Sequence, residues 1–252
     1  MGFCLTIKKS EENTMKICMK SIVLVVVAFA MQLQAVEKIV NEAERVEQPN
    51  KKEAVVPAGD PIGEAVKAYF TAVFYEMGKV VAKQPTKDTF RELMKPVEEN
   101  VDGFTDGSFL DDKYIIQESY KDHIISPVGH DLKKVKELKD FLVMMDEKPA
   151  PQLSEPAHIP FYPSFTSLRY PVLDEKGELT GVLSVFVKTK HFMQTTMLSQ
   201  CRAYTITCRG NLAEKKRRVS DEAKKVTVQL PSTEWIIVYD PPEDGFVYHK
   251  KF

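Results

Sequence analysis

The sequence has little of several features that define whole classes of protein. Four cysteines in 252 residues are too few for a fold built on disulfides. The 35 basic residues nearly match the 36 acidic ones, so the chain lacks the basic surplus with which proteins bind nucleic-acid phosphates. Charged residues make up 28% of the chain, which excludes a protein that crosses a membrane many times. With 43% hydrophobic residues, the composition fits one large globular domain or two small ones.

The common catalytic and metal-binding signatures are also missing. The chain contains no Gly-x-Ser-x-Gly, no His-Glu-x-x-His, no phosphate-binding P-loop and no Cys-x-x-Cys. Its five histidines lack the spacing of zinc ligands. They are His123, His130, His158, His191 and His249. We therefore expect a protein that is not an enzyme, with no metal or other cofactor and no nucleic-acid partner.

The first informative segment resembles a secretory signal. A basic stretch at 15–20 precedes an apolar run at 22–31, and a small residue follows at Ala35. The apolar run is much shorter than the roughly twenty residues that span a bilayer. We expect cleavage after Ala35, hence a periplasmic or secreted protein whose translation starts at Met1 or Met15. Leu33 weakens the cleavage site, so the alternative is a membrane anchor formed by an uncleaved signal.

Two helices are predicted after a linker. Residues 36–60 are rich in Glu, Lys, Ala and Pro, which is typical of a flexible linker. From Ile62 onwards, apolar residues recur every three or four positions, which predicts an amphipathic helix over 62–83. A second helix starts at Thr86 or Lys87 and is bent or cut at Pro96.

The rest of the chain alternates between strands and helices. A hairpin is predicted over 108–118, and Asp131 caps a helix whose inward residues include Val135 and Phe141. Strands over 164–173 and 180–188 flank a turn at 174–178. The remaining elements are a short helix at 190–200, a strand at 201–208, a charged helix at 211–225 and strands at 226–230, 235–239 and 246–250. Helices followed by antiparallel strands indicate an α+β fold.

Cys201 and Cys208 allow two interpretations. In an oxidising compartment they could close a small loop as a disulfide. Within one straight strand, two residues seven apart are too far from each other to bond, so the disulfide requires a bend between 203 and 207. The alternative is a pair of buried thiols.

Four pieces, in this order, resemble the Cache domains, which are PAS-like extracytoplasmic sensor domains of bacteria. The first is the long helix that leads into a short hairpin, and the second is Gly-x-Asp-Leu at 129–132. Ser-x-Pro at 154–156 follows, and the last is Pro171-x-x-Asp174-x-x-Gly177-x-x-x-Gly181. The resemblance implies a long N-terminal helix packed on a PAS-like central antiparallel sheet. It implies a Cache-like sensor domain over 61–200, with 201–252 as a β-rich extension packed on the same domain.

The resemblance also implies a ligand pocket near residues 120–170. Period two places Phe165, Ser167 and Arg169 on one face of a strand. A guanidinium there needs a partner, and a ligand carboxylate would provide one. The alternatives are an ion pair with Asp131 or Glu155, or exposure to solvent. The other candidate ligand contacts are Tyr162, Phe161, Ser184, Tyr120, Asp122 and His123, with Asp122 suited to an amine.

We therefore expect an extracytoplasmic module that binds a small carboxylate- or amine-bearing metabolite and has no catalytic activity. By analogy with the family, its partners would be a membrane signalling protein and a second copy paired through the 62–83 helix. The alternative is a structural or interaction protein on the same scaffold, with the pocket filled by side chains.

Overall fold

The computed structural model describes residues 59–124, 126–157 and 164–247. The predicted signal peptide, nearly all of the predicted linker, Phe161 and Tyr162 lie outside these ranges. So does most of the strand predicted over 246–250.

The first helix, α1, spans Pro61–Val81, which confirms the helix predicted over 62–83. Asp60 starts it: one carboxylate oxygen accepts the N–H groups of Ile62 and Gly63, each at 3.0 Å. The other oxygen accepts the Tyr239 hydroxyl at 2.6 Å, so the same cap ties α1 to a strand near the end of the chain.

The second helix, α2, spans Phe90–Asn100 and begins later than predicted. It continues through Pro96, so the predicted cut is wrong. Proline removes one helical hydrogen bond. The buried side chains of Phe90, Met94 and Val97, which sit on both sides of the proline, anchor the helix in the core.

Five antiparallel strands form the first sheet, in the order β2-β1-β5-β4-β3. They are β1 (Phe104–Asp111), β2 (Ile116–Ser119), β3 (Gln152–Leu153), β4 (Phe165–Leu173) and β5 (Leu179–Lys188). The predicted β1–β2 and β4–β5 hairpins are confirmed. Asp174 shapes the second turn by accepting the N–H groups of Lys176 at 2.8 Å and Glu178 at 2.9 Å.

The segment after Asp131 differs from the single helix predicted there. Asp131 does act as a cap, accepting the Lys133 N–H at 2.9 Å. Two short 3₁₀ turns, Leu132–Lys134 and Lys136–Leu138, come first, and α3 spans only Lys139–Glu147. Val135 has extended backbone between the two turns and is 38% exposed, so it does not belong to the buried face.

A second antiparallel sheet, in the order β7-β6-β9-β8, follows the short helix α4 at Thr189–Thr195 and a 3₁₀ turn at Leu198–Gln200. Its strands are β6 (Ala203–Cys208), β7 (Asn211–Lys216), β8 (Lys224–Leu230) and β9 (Thr233–Asp240).

The prediction of a charged helix over 211–225 is therefore wrong. Arg209 and Gly210 both have positive φ, 50° and 80°, which is the geometry of a two-residue hairpin turn. The charges of β7 fit its position at the sheet edge.

One apolar core joins α1 to both sheets. The Phe70 ring of α1 lies 5.1 Å from the ring of Phe192 in α4 and 5.2 Å from that of Trp235 in β9. Side chains from β4 and β5, among them Leu168 and Val185, belong to the same core. The predicted α+β class is confirmed, with the long N-terminal helix packed on the central antiparallel sheet.

Cys201 and Cys208 are buried free thiols, so the disulfide interpretation is wrong. The bend that it required between 203 and 207 is absent, since these residues lie in β6, whose six residues all pair with β9. A straight strand keeps the two sulfur atoms apart.

Candidate ligand-binding site

A row of polar side chains crosses the whole first sheet. The strand pairings align one residue from each strand, and directly paired residues point to the same face. In spatial order the row is Ser119 in β2, Ser108 in β1, Ser184 in β5, Arg169 in β4 and Gln152 in β3. All five are buried, with 2–6% of their surface exposed. Buried polar groups need hydrogen-bonding partners, so five of them on one face indicate a site for polar chemistry.

Arg169 is the only charged member of this row. Its guanidinium lies over the Phe141 ring, 4.3 Å from the ring centroid, which is a cation–π contact. Burial lowers its pKa to about 10, so it keeps its charge at neutral pH. Among the described residues no carboxylate lies within ion-pairing distance of it. Asp131 instead pairs with Lys134 at 3.6 Å, and neither alternative predicted from the sequence, an ion pair or solvent exposure, applies within these ranges.

The polar row faces away from α1. Leu168 and Val185 flank Arg169 and Ser184 along their strands and point into the α1 core. On the row's own face, Leu110 and Val182 belong to a second apolar cluster with Phe141. The site therefore has an apolar wall beside its polar row, a combination suited to a small ligand with a charged group.

Helix α3 is fixed over this face from two sides. The Tyr114 hydroxyl donates to the Asp146 carboxylate at 2.5 Å, joining the β1–β2 hairpin to α3. The Gln152 side-chain amide donates to the Phe141 carbonyl oxygen at 3.5 Å, a long hydrogen bond. Phe141 thus contacts two members of the polar row, Arg169 through its ring and Gln152 through its carbonyl group.

A second row on the same face contains a carboxylate. Ser167 pairs with Phe186, which pairs with Asp106 across β5 and β1. Asp106 accepts three hydrogen bonds, from the Gly107 N–H at 2.7 Å, the Lys121 N–H at 3.0 Å and the Ser119 hydroxyl at 3.3 Å. It also contacts His123 Nε2 at 2.6 Å. Its oxygens are already well occupied.

The structure brings together four of the predicted contacts and separates two. Arg169, Ser184 and Ser167 lie on one sheet face, and His123 joins them through Asp106. Tyr120 packs instead against Phe104, with ring centroids 5.6 Å apart, and donates its hydroxyl to Glu98. Asp122 accepts Arg91 Nη1 at 2.9 Å, and its side chain is 89% exposed. Phe161 and Tyr162 lie outside the described residues.

Four residues of the two polar rows were not predicted from the sequence: Asp106, Ser108, Ser119 and Gln152. Asp106 was missed because the strand was predicted to start at Ser108 rather than Phe104. Extending the period-two pattern by four residues would have placed Asp106 on the face of Ser108. Ser119 and Gln152 carry no local signal, since only strand pairing aligns them with Arg169.

Among the described residues, the polar row coincides with neither of the two cavities nor with a cluster of metal ligands. Two cavities of the described residues have volumes of about 700 and 490 Å³, and Arg169 lines neither. In the same ranges no three His, Cys, Asp or Glu side chains meet as metal ligands. Nor does any described helix have the length and apolar composition needed to cross a membrane.

No protein-family model and no curated protein matches this sequence. Solved structures do match. An extracellular ligand binding receptor from Desulfohalobium retbaense is 14% identical with a TM-score of 0.55; the match covers 71% of this chain but only 39% of that receptor. The ligand-binding domain of the Pseudomonas fluorescens chemoreceptor CtaA in complex with L-isoleucine is 13% identical, with a TM-score of 0.53 and coverage of 86% and 97%.

A third structure, the ligand-binding domain of the Pseudomonas aeruginosa amino acid chemoreceptor PctC in complex with GABA, is 14% identical. Its TM-score is 0.51, and the match covers 70% of this chain and 93% of that one. At these identities the likeness concerns the fold, which agrees with the order of motifs in the sequence. The chain has the fold of the Cache, or PAS-like, ligand-binding domains of bacterial chemoreceptors.

Proposed function

We propose that this chain is an extracytoplasmic sensor module that binds a small carboxylate-bearing metabolite on the polar face of its first sheet. The observation that supports this proposal is the burial of Arg169. A guanidinium that is buried and has no carboxylate partner among the described residues has lost most of its hydration, and the Phe141 ring offsets only part of that cost. A ligand carboxylate would supply that compensation through two parallel hydrogen bonds.

The same face favours a carboxylate over an amine as the group that is recognised. An amine would need an available carboxylate, and Asp106 already accepts two backbone N–H groups and a hydroxyl and contacts His123. Asp122, the residue predicted to bind an amine, is engaged by Arg91 at the surface. Arg169 is the cation of the polar row, and among the described residues no carboxylate pairs with its guanidinium.

The similar structures support the proposal at the level of ligand class. The CtaA and PctC domains are described in complex with L-isoleucine and GABA, and both ligands carry a carboxylate. Those domains belong to chemoreceptors, which supports a membrane signalling partner and an extracytoplasmic location for this chain. Pairing of α1 with a second copy stays a prediction. We infer no catalytic step.

A thermal-shift titration of the full chain tests the proposal. The probes are GABA, L-isoleucine and succinate, with putrescine as an amine that lacks a carboxylate. We expect at least one carboxylate to raise the melting temperature saturably, since a ligand at 100 times its Kd stabilises the fold by about 2.7 kcal/mol. Putrescine should have no effect.

Two variants assign the response to Arg169. Arg169→Met should abolish it, whereas Arg91→Met, which removes an exposed guanidinium bound to Glu118 and Asp122, should preserve it. A putrescine response that persists in Arg169→Met would overturn the carboxylate assignment. A flat response in well-folded protein would favour the alternative, an interaction protein on a sensor scaffold.

A further inference from the structure

One of the two cavities lies between the two sheets, away from the Arg169 face. Its volume is about 700 Å³, within the range of roughly 300–1,000 Å³ that small-molecule sites occupy. The end of β5 and helix α4 form one side, and the β6–β7 hairpin forms the other. None of its lining residues belongs to the polar row. The ligand site proposed above, on the Arg169 face, does not include this cavity.

The lining is strongly biased towards positive charge. Three lysines, Lys188, Lys190 and Lys216, line the cavity against one carboxylate, Glu214. Among the described residues, Lys188 and Lys190 form no ion pair. Like charges gathered around one cavity repel each other, and an anion placed between them would relieve that repulsion.

Among the described residues, Lys216 uses two of the three donors of its ammonium group. Its ammonium group donates to the carbonyl oxygens of Ser199 at 2.9 Å and Cys201 at 2.7 Å. These two bonds fix the charge at the cavity wall. An ammonium group has three N–H donors, so one remains.

Tyr204 contributes a second underused polar group. It is 5% exposed, and its hydroxyl donates to the thioether sulfur of Met193 at 2.8 Å, which is a weak acceptor. Tyr204 and Met193 are also the two large apolar side chains among the residues that line the cavity. A ligand at this place would meet both an apolar wall and a hydroxyl group.

We propose that this cavity is a second ligand site, specific for a monocarboxylate with an apolar chain. Lys190, Lys216 and the Tyr204 hydroxyl bind the carboxylate, and the chain packs against Met193 and the Tyr204 ring. The site is independent of Arg169. An inorganic anion fits it poorly, because it would leave the apolar wall in contact with water.

The test follows the Met193 methyl group by NMR in the full chain labelled with [methyl-¹³C]methionine. Met193→Leu assigns the signal. Titration with hexanoate should shift Met193 saturably and leave Met145, which lies in the second apolar cluster under α3, unchanged. Hexylamine, with the same chain and the opposite charge, should leave Met193 unshifted. An equal shift with both probes, or no shift with hexanoate, would overturn the proposal.

Matched variants identify the residues. Lys190→Gln and Tyr204→Phe should each raise the Kd for hexanoate roughly tenfold to a hundredfold, the loss expected for one hydrogen bond to a charged group. Lys215→Gln is the control, because Lys215 lies beside Lys216 on β7 and points to the opposite sheet face. Arg169→Met should leave the Met193 shift intact. Equal losses in Lys215→Gln and Lys190→Gln, or a shift that disappears in Arg169→Met, would contradict a separate site.

Discussion

Ser184 lies directly opposite Arg169 where β5 pairs with β4, and both side chains are buried on the sheet face that points away from α1. A neutral hydroxyl group is a poor partner for a guanidinium compared with a carboxylate. The protein thus keeps a cation buried beside neutral neighbours. A buried cation with neutral neighbours costs the folded state stability.

The first prediction concerns the stability of the protein without ligand. Arg169→Met removes the buried charge and keeps most of the side-chain volume, so we expect the free energy of unfolding to rise by about 1–3 kcal/mol. Urea denaturation at pH 7.5 measures it. Arg91→Met at the surface should change the value by less than about 1 kcal/mol. A large loss of stability in Arg169→Met would mean that the guanidinium has a structural partner.

Sequence patterns predicted the parts of this site that depend on one strand at a time. Period two placed Ser167 and Arg169 on one face, and the Asp174 turn indicated that β5 pairs back along β4. Ser119 and Gln152 could not be found in this way, because their alignment with Arg169 depends on pairings between strands distant in sequence. The charged strand β7 was mistaken for a helix because its exposed edge position, which tolerates charge, is a tertiary feature.

The second prediction concerns the two buried thiols and pH. Burial raises the pKa of Cys201 to about 11 and that of Cys208 to about 12, from an ordinary value of 9.0. Between pH 9 and 11 the unfolded chain loses these protons while the folded chain keeps them. The two thiols therefore contribute fully to the free energy of unfolding below pH 9, and this contribution is lost as the pH rises.

Urea denaturation at pH 7.5, 9 and 11 tests this. The double variant Cys201→Ala/Cys208→Ala should lose about 4 kcal/mol less than the natural chain between pH 9 and 11, about 2 kcal/mol for each thiol. The difference at pH 7.5 gives the cost of the cavities that the substitutions create, and it serves as the baseline. Parallel curves for the two proteins would show that neither thiol is buried as described.

The third prediction concerns the attachment of α3 to the hairpin. Tyr114→Phe removes the hydroxyl that donates to Asp146 and keeps the buried ring. We expect a loss of about 1 kcal/mol, because the exposed Asp146 carboxylate can turn to water. Amide hydrogen exchange should accelerate in Lys139–Glu147 and stay unchanged in α1. Tyr75→Phe, on the exposed side of α1, should alter neither segment; uniform acceleration across the chain would contradict a local role for Tyr114.

The fourth prediction tests how α1 packs between the sheets, through two glycines in one helix. A Cβ added at Gly63 would lie 2.7 Å from a methyl carbon of Val226 in β8, so Gly63→Ala must push the helix away from the second sheet. A Cβ at Gly78 would meet only the Tyr170 side chain, at 3.9 Å, which is ordinary contact. Gly78→Ala should therefore stabilise the fold by about 0.5–1 kcal/mol through helix propensity alone. Gly63→Ala should destabilise it by about 1–3 kcal/mol, the usual cost of overpacking.

Thermal and urea denaturation of both variants measure the two effects. If both variants change stability in the same direction, α1 does not lie against β8 as the structure places it.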